Sequence, residues 1–355
     1  MRTSKVKTII TGIASAFVFC GVLACFSLGL DYLIAPADSY TRVMMHELYA
    51  QKKIDRLFCG ASLSYRSFDT GLLDRELRCN CFNAGSSSQD VAVTYFLLKD
   101  ILRGCDVGHV YLELSPAMEI RFGPDTTQTA AGVFPVFCYM RRSLPKLQMF
   151  LDLTRKGYAL TNFLGARYYV QTVNIVKIPG NVSLKGTDEY KKYGYRPLSH
   201  DREWYAGKGY VESCERVYGD RFDDVCPEYT FASANDGWCS YVRKIISLCK
   251  QKDVEITLVC SPVSRYVLSS WDGWYDDYHA MVDGMAREAG IVFWDFSLVK
   301  DAFFNPVSEN YQDSVHLNMY GARLFSSLFA RIVRGELVYE DICCLSTDEK
   351  LVGSR

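Results

Sequence analysis

An acid and an imidazole stand three residues apart near the end of the chain, in the stretch YQDSVHLNMYGARLFSSLFA. Asp313 and His316 precede an apolar segment, Met319 to Val333, whose spacing predicts a helix. A carboxylate bound to one nitrogen of a neutral histidine holds the ring in one tautomer, and the other nitrogen then takes a proton from a nucleophile. The pair therefore predicts a general base that needs a nucleophile from elsewhere.

A serine suited to that role follows the first apolar run after the N-terminal region. The stretch CGASLSYRSFD begins where the predicted strand Ile54 to Cys59 ends, and Gly60 permits a tight turn there. Ser62 would then present its hydroxyl at the sheet edge, with its own N–H directed at a developing oxyanion. The alternative is an N-cap, in which Ser62 or Ser64 accepts a hydrogen bond from an amide of the next helix.

The next short apolar run leads into a turn of small residues, FNAGSSSQD, from Phe82 to Asp90. Small side chains let the backbone of this turn approach a neighbouring loop, and such a turn can supply an N–H to an oxyanion hole. The alternative is a serine-rich loop that only caps the helix beginning near Gln89.

Short apolar runs alternate with helical patterns over most of the chain. The predicted strands are Ile54 to Cys59, Cys81 to Asn83, His109 to Leu114, Val254 to Cys260 and Ile291 to Asp295. The predicted helices are Gln89 to Arg103, Trp238 to Gln251, Tyr275 to Ala289 and Met319 to Val333. This alternation predicts an α/β fold with a mostly parallel sheet covered on both faces. Because sites in such sheets form at the carboxyl ends of strands, we expect the chemistry at that edge.

The middle of the chain, about residues 120–236, breaks this rhythm and is rich in Tyr, Arg, Lys and Gly. We interpret it as an insertion packed against the sheet that shapes a substrate groove. Interleaved aromatic and basic residues are able to stack on sugars or bind phosphates, while the alternative is an irregular surface with partly buried tyrosines.

Taken together, these motifs resemble the SGNH/GDSL hydrolase family. Gly60, Ala61 and Ser62 match its first block, FNAGSSSQ its second, and Asp313 to His316 its late DxxH motif. The runs TLVCSPVS and IVFWDFS match the expected late strands. The resemblance implies a flavodoxin-like three-layer fold with a mostly parallel five-stranded sheet. It also implies a Ser62, Asp313, His316 triad and an oxyanion hole made by the N–H groups of Ser62 and Ser88.

Two positions depart from the family pattern. Ala61 replaces the aspartate of the first block, as in membrane-anchored relatives. The third block, usually GxND, reads LELSPAM from Leu112 to Met118 and lacks the asparagine that donates to the oxyanion. Losing one such donor costs about 100-fold or more in rate. Asn83, as a weak candidate, and Asn235 are the possible substitutes.

The overall composition bounds the class of protein. With 355 residues, 49% hydrophobic and 23% charged, the chain has ample material for a packed core. A net charge of -1 gives no field that favours nucleic acid. The 14 cysteines show no zinc spacing, and those in strand-like runs, such as Cys59 and Cys260, are interpreted as buried thiols. We expect no metal and no cofactor.

The N-terminus predicts a membrane span. Residues Ile9 to Leu30 contain no charge and are numerous enough to cross a hydrocarbon core of ~30 Å as a helix. Basic residues precede the span and acidic residues follow it, which predicts an uncleaved signal anchor with a cytoplasmic N-terminus and an extracytoplasmic domain. Cleavage after Ala37 and lipidation at Cys25 are the alternatives.

These patterns divide the chain into consecutive segments. We predict a cytoplasmic N-terminus (1–8), a transmembrane anchor (9–30), a juxtamembrane segment (31–53), an SGNH-like domain (54–340) with its insertion, and a C-terminal tail (341–355).

The predicted function is a serine-dependent ester hydrolase or acyltransferase that acts on an acylated cell-envelope polymer at the membrane. One alternative is an acyl-transfer partner of a membrane O-acyltransferase or of a D-alanyl transfer system. The other is a catalytically inactive glycan-binding or scaffold protein on the same fold, which the missing GxND asparagine favours.

Overall fold

The computed structural model describes residues 2–116, 127–165, 168, 175–194, 202–219, 236–271 and 273–352. The strands are β1 (Lys53–Cys59), β2 (Cys81–Asn83), β3 (Asp106–Glu113), β4 (Glu203–Gly207), β5 (Tyr210–Ser213), β6 (Glu255–Cys260) and β7 (Val292–Asp295). The helices of the first half are α1 (Arg2–Ile34), α2 (Tyr40–Ala50), α3 (Ser62–Ser67), α4 (Thr70–Leu77), α5 (Val91–Ile101), α6 (Thr127–Tyr139) and α7 (Leu144–Arg155). Those that follow are α8 (Ile178–Lys185), α9 (Asp188–Lys191), α10 (Asp236–Gln251), α11 (Arg265–Ser270), α12 (Trp274–Ala289), α13 (Met319–Val333), α14 (Tyr339–Ile342) and α15 (Thr347–Val352).

The central sheet has five strands in the order β2-β1-β3-β6-β7, and every neighbouring pair is parallel. Counted along the chain, this is the flavodoxin-like order, with the second strand outside the first. The chain therefore reverses its direction of winding between β1 and β3, and the crevice outside these two strands is where ligands bind in such sheets. The predicted α/β fold with a five-stranded parallel sheet is confirmed.

Alternate side chains of the central strands enter two separate cores, one on each face of the sheet. Leu57 of β1 and Val110 of β3 pack among residues of α5, α10 and α12. Phe58 packs on the opposite face, where its ring lies 4.3 Å from Phe68 and 5.7 Å from Phe329 of α13. The result is a layer of helices on each side of the sheet, which positions the loops at its carboxyl edge.

Local signals account for several helix boundaries. Asp90 caps α5 by accepting a hydrogen bond from the N–H of Ala92 at 2.7 Å. Gly290 follows α12 in the left-handed conformation, with φ of 62°, which ends a helix without a Cβ penalty. Asn318 caps α13 through the amides of Tyr320 and Gly321.

The region predicted as an insertion contains regular structure in its described part. Helices α6 and α7 contribute buried apolar residues such as Val133 and Met149 to the core on the α5 side. The antiparallel pair β4–β5 lies against the outer edge of β2, where Lys208 O accepts the N–H of Asn83 at 2.9 Å. A Cβ at Gly209 would overlap the Asn83 carbonyl, so this approach requires glycine.

One helix, near the N-terminus, is long and apolar enough to span a membrane among the residues described. The apolar part of α1, Ile10–Ile34, has 25 residues, a mean hydropathy of 2.3 and no buried portion in its most apolar stretch. At 1.5 Å per residue it is about 37 Å long, more than the ~30 Å hydrocarbon core. It is four residues longer at its end than the predicted span, and α2 follows within the segment predicted as juxtamembrane.

Every cysteine in the described part of the chain is a free thiol. Cys59 and Cys260 are buried in strands β1 and β6, and burial raises the pKa of both thiols above its ordinary value. Since the thiolate is the reactive form, these two residues act as small apolar side chains of the core.

Candidate active site

Three side chains from distant parts of the sequence form one hydrogen-bond chain at the carboxyl edge of the sheet. Ser62 Oγ lies 2.7 Å from Nε2 of His316, and Nδ1 of His316 lies 2.8 Å from Oδ2 of Asp313. Ser62 and His316 are 254 residues apart in sequence. The His316 side chain is 22% exposed, so the site is open to a substrate.

The hydrogen-bond partners decide the tautomer of His316. An ionised carboxylate only accepts hydrogen bonds, so Nδ1 carries the proton and donates it to Asp313. In the neutral ring Nε2 is then an acceptor, and the hydroxyl of Ser62 donates to it. This is the arrangement in which a histidine is ready to remove the serine proton.

The environment of Asp313 keeps its carboxylate ionised. Burial raises the pKa of Asp313, but the hydrogen bond and the charge of His316 oppose it, together with the N–H groups of His316 and Val315. Those two amides donate to Oδ1 at 2.7 and 3.0 Å. The net effect is a pKa well below the ordinary value of an aspartate.

The turn that carries Asp313 and His316 is anchored to the body of the domain. A bridge between Tyr311 and Leu317 closes it, and the side-chain amide of Asn318 donates to Tyr311 O at 3.2 Å and to Glu309 O at 2.8 Å. From outside the turn, Ser264 Oγ donates to the carbonyl of Ser314 at 2.5 Å. These contacts hold the imidazole in place independently of Ser62.

Ser62 is the first residue of α3, directly after the tight turn that leaves β1. The N-cap is Ala61, which makes no side-chain cap, and Ser62 Oγ is directed to His316 instead. Gly60 has φ of 154°, and a Cβ there would lie 2.9 Å from the Cβ of Glu113. The N-cap role considered for Ser62 or Ser64 is therefore not the one observed.

The turn after β2 lies beside the Ser62 loop. Gly85 approaches so closely that a Cβ on it would lie 3.0 Å from Ala61 O. Ser86 O accepts the N–H of Gln89 at 3.3 Å, and Ser88 has φ of 51°, as the third residue of a type II turn requires. Ser88 thus takes a conformation that favours glycine, at the position where the resemblance places the oxyanion glycine.

Asn83 holds these two loops together. Its side-chain oxygen accepts from Gly85 N at 2.9 Å and lies 3.2 Å from Ser64 Oγ, and its nitrogen donates to Ser64 O at 2.9 Å. The residue is completely buried. This placement corrects its assignment as a weak oxyanion donor, because its amide is directed to α3 rather than to the open site. Asn235, the other suggested substitute, lies outside the described residues.

The end of β3 carries Glu113 where the family has its third block. Glu113 is 5% exposed, and its Oε1 accepts from Ser115 N at 3.0 Å and from Ser261 N at 3.2 Å. Burial raises its pKa, and the hydrogen bonds from Ser115 and Ser261 oppose that shift in part. Glu113 therefore joins the ends of β3 and β6.

A small cavity opens at the crevice between β1 and β3. Its volume is about 30 Å³. Residues at the ends of β1 and β3, residues at the start of α5, and Trp238 of α10 form its walls. The lining residues are Gly60, Ala61, Gln89, Val91, Thr94, Leu112, Glu113, Leu114, Ser115 and Trp238. The cavity therefore lies between the residue before Ser62 and the residue after Ser88.

Sequence reasoning missed two residues that position the site. Asn318 secures the Asp313 turn, and its place directly before a predicted helix is an N-cap signal that could have identified it. Gly132 of α6 packs on the second turn, where a Cβ would lie 2.5 Å from Ser88 O. No local pattern marks Gly132, because its role depends on where α6 packs.

Comparison with known proteins adds little to this geometry. No curated protein matches the chain. One family model, which carries no functional description, matches residues 214–338. Among solved structures, the chain is similar to a proposed acylhydrolase from Bacteroides fragilis, with 10% identity and a TM-score of 0.35. The similarity covers 80% of this chain and 88% of that protein.

Proposed function

We propose that the protein is a serine-dependent ester hydrolase or acyl-transfer enzyme that acts on acylated polymers of the cell envelope. The observation that carries the proposal is the continuous hydrogen-bond chain from Ser62 through His316 to Asp313 at the carboxyl edge of a parallel sheet. The resemblance of the sequence motifs to SGNH/GDSL hydrolases supports the same three residues in the same roles.

In the first half of the reaction, Ser62 Oγ attacks the ester carbonyl while Nε2 of His316 takes the hydroxyl proton. Asp313 stabilises the imidazolium that forms, and it remains ionised throughout. His316 then gives the proton to the oxygen of the leaving alcohol, the ester C–O bond breaks, and the acyl group remains on Ser62.

In the second half, water or another alcohol attacks the acyl-serine. His316 removes the proton of that nucleophile and returns it to Ser62 Oγ as the acyl–serine bond breaks. Water releases a carboxylic acid, whereas a hydroxyl of an acceptor gives a new ester. The same residues thus serve hydrolysis and transfer, and the second nucleophile determines the product.

The oxyanion is stabilised by backbone N–H groups in this proposal. The Ser62 amide is at the first position of α3, where amides have no partner within a helix, and the Ser88 amide belongs to the adjacent turn. No asparagine is found at the β3 end among the described residues there, which predicts a rate about 100-fold or more below that of a site with all three donors.

The cavity next to the site supports a small acyl group. A single water needs about 10–15 Å³, so a cavity of about 30 Å³ has room for a small group such as acetyl. Anchoring through α1, with the domain outside the cytoplasm, would keep such an enzyme beside cell-envelope polymers.

Two other functions retain support from particular observations. Acyl transfer with a membrane O-acyltransferase or a D-alanyl transfer system as partner would use the same triad and the same anchor. A non-catalytic glycan-binding or scaffold role is favoured by the absence of the asparagine donor at the β3 end.

The test is hydrolysis of p-nitrophenyl acetate, butyrate and octanoate by the full chain in detergent. Ser62→Ala and His316→Ala should each lower kcat/KM by about 1,000-fold or more, because each removes a member of the proton-transfer chain. Ser269→Ala, which changes an exposed serine of α11, and His109→Gln serve as matched controls and should retain activity.

Acetate should be the best of the three esters if the cavity binds the acyl group. Wild-type turnover equal to that of both site variants would exclude simple ester hydrolysis. Ser62-dependent transfer to an added polysaccharide, without hydrolysis, would identify the acyl-transfer function. If neither reaction depends on Ser62, the non-catalytic role remains.

A further inference from the structure

The last turn of α1 is held by α8. Asn181 accepts the N–H of Ala37 at 2.5 Å and donates to Ala35 O at 2.6 Å, while Lys185 Nζ donates to the carbonyls of Tyr32 and Ala35. Both side chains are about 95% buried. A cation at a helix C-terminus binds carbonyls that lack a partner within the helix. The position where the apolar helix ends is therefore fixed relative to the domain.

Large apolar side chains are exposed on the two segments that lead to this junction. Ile175 and Val176 are 77% and 87% exposed, in the turn that leads directly into α8. Leu160 and Leu164 are 63% and 42% exposed. A Cβ on the next residue, Gly165, would overlap the Asp31 carboxylate in the last turn of α1. These four side chains, Leu160, Leu164, Ile175 and Val176, are called the apolar rim.

The position of the apolar rim indicates its partner. A helix such as α1 ends at the boundary between hydrocarbon and water, so residues packed around its last turn lie at that boundary. Apolar side chains at this depth enter the region between headgroups and acyl chains, and an adjacent lysine extends to the headgroups. Lys177 follows Val176 and is exposed.

We propose that the apolar rim inserts into the lipid interface beside α1 and docks the domain on the bilayer in one orientation. The partner is the lipid surface itself. This inference rests on the membrane anchoring in the proposed function, because the rim reaches lipid only when α1 spans the membrane.

Docking places the nucleophile close to the membrane surface. Tyr40 begins α2, just beyond α1, and its hydroxyl lies 2.9 Å from that of Tyr65 in α3. Tyr65 is one helical turn after Ser62, with about 5–6 Å between such positions. This placement suits an acylated envelope polymer whose ester is presented at the membrane surface.

The test uses a fluorescent amino acid with an NBD group, incorporated singly into the full chain. The positions are Phe17 inside α1, Val176 in the apolar rim, and Leu345, which is 94% exposed near the C-terminus. Each protein is reconstituted in vesicles of phosphatidylcholine and phosphatidylglycerol, with and without lipids brominated high on the acyl chain. Because all three residues are exposed, the label should not disturb folding.

We expect bromolipid to quench the probes at positions 17 and 176, and to leave the probe at position 345 unchanged. Ile175→Asp should reduce the quenching at position 176, whereas Leu345→Asp should not. Quenching at 17 with none at 176 would overturn the docking, and no quenching at either position would overturn the anchoring as well. Ester hydrolysis does not enter this measurement, so its outcome is separate from that of the hydrolase proposal.

Discussion

At the scale of single residues, the members of the site differ in what a substitution would remove. In the proposed mechanism Ser62 and His316 exchange a proton and Asp313 orients the ring. Ser88 would contribute only its backbone, in a conformation that serine seldom adopts. Substitutions at Asp313 and Ser88 therefore test orientation and backbone geometry rather than the presence of a reactive group.

Asp313→Asn should lower kcat by about 1,000- to 10,000-fold with little change in KM. An asparagine is able to donate to Nδ1 of His316, which puts the proton on Nε2 and prevents it from accepting the serine proton. Steady-state kinetics on p-nitrophenyl acetate measures the change, with the exposed Asp348→Asn as the control. A variant that keeps wild-type kcat would show that Asp313 does not determine the tautomer.

The same variant has a predicted pH dependence of stability. The pKa of Asp313 is lowered in the folded state, so its contribution to the free energy of unfolding is present above about pH 4 and is lost as pH falls below that value. Urea unfolding of wild type and Asp313→Asn should differ most at neutral pH and converge in acid. A difference that grows as the pH falls would contradict the assignment.

Ser88→Gly should preserve activity and change stability by less than about 1 kcal/mol, because glycine adopts positive φ without strain. Ser88→Val should destabilise the protein by about 1–3 kcal/mol and reduce kcat, since a β-branched residue is disfavoured at φ of 51°. Ser87→Val, in the same turn but outside the left-handed region, is the matched control. Equal effects of valine at both positions would show that φ at Ser88 is unimportant.

At the scale of elements, the site depends on how helices are fastened to the ends of strands. His279 of α12 binds Asp295 at the end of β7 through Nδ1, 2.8 Å from Oδ2. Burial lowers the pKa of His279, but the hydrogen bond and charge of Asp295, with Asp283 and Asp276 nearby, leave it above the ordinary value. This contact attaches α12 to the sheet at its carboxyl edge.

The free energy of unfolding should therefore contain a part that is fully present below about pH 6.5 and is lost as pH rises through the folded-state pKa of His279. His279→Gln should remove that decline. His109→Gln is the control and should have the opposite effect. Burial lowers the pKa of His109 despite the hydrogen bond and charge of Glu255, so His109 makes the free energy of unfolding rise with pH, and its replacement should remove that rise. Unfolding curves from pH 5 to 9 that are unchanged by His279→Gln would contradict this account.

At the scale of the whole molecule, α1 and the domain are joined by α8 and α2 rather than by a flexible linker. The length of the apolar part of α1 and the basic residues that precede this part predict that the domain lies outside the cytoplasm. If so, the charges at the N-terminus would decide on which side of the membrane the domain folds.

Protease added to right-side-out membrane vesicles should digest the domain, and protease added to inside-out vesicles should leave it intact. Replacing Arg2, Lys5 and Lys7 by Glu should reduce the fraction of correctly oriented chains, because the positive charges retain the N-terminus in the cytoplasm. Immunoblotting with an antibody to the C-terminal residues measures both results. Protection in right-side-out vesicles would reverse the predicted topology.

Much of the fold followed from local patterns in the sequence. The five predicted strands are the five strands of the sheet, with ends displaced by up to three residues, and α13 has the predicted bounds Met319–Val333. Helix, strand and span are set by the periodicity and polarity of residues close in sequence, which is why these predictions were accessible. The residue types of Ser62, Asp313 and His316, with their expected place at the carboxyl ends, were accessible for the same reason.

Long-range packing supplied the rest. Ser62 and His316 are 254 residues apart in sequence, and only the pairing of strands and the packing of helices bring them together. The same packing makes Asn83 join two loops instead of facing the site. The close approaches at Gly132 and Gly209 likewise arise from elements of the middle region, where no periodic pattern was evident. The sequence shows which reactive groups are present. The distances between these groups result from the burial of apolar faces of helices and sheet against each other, which involves the whole chain.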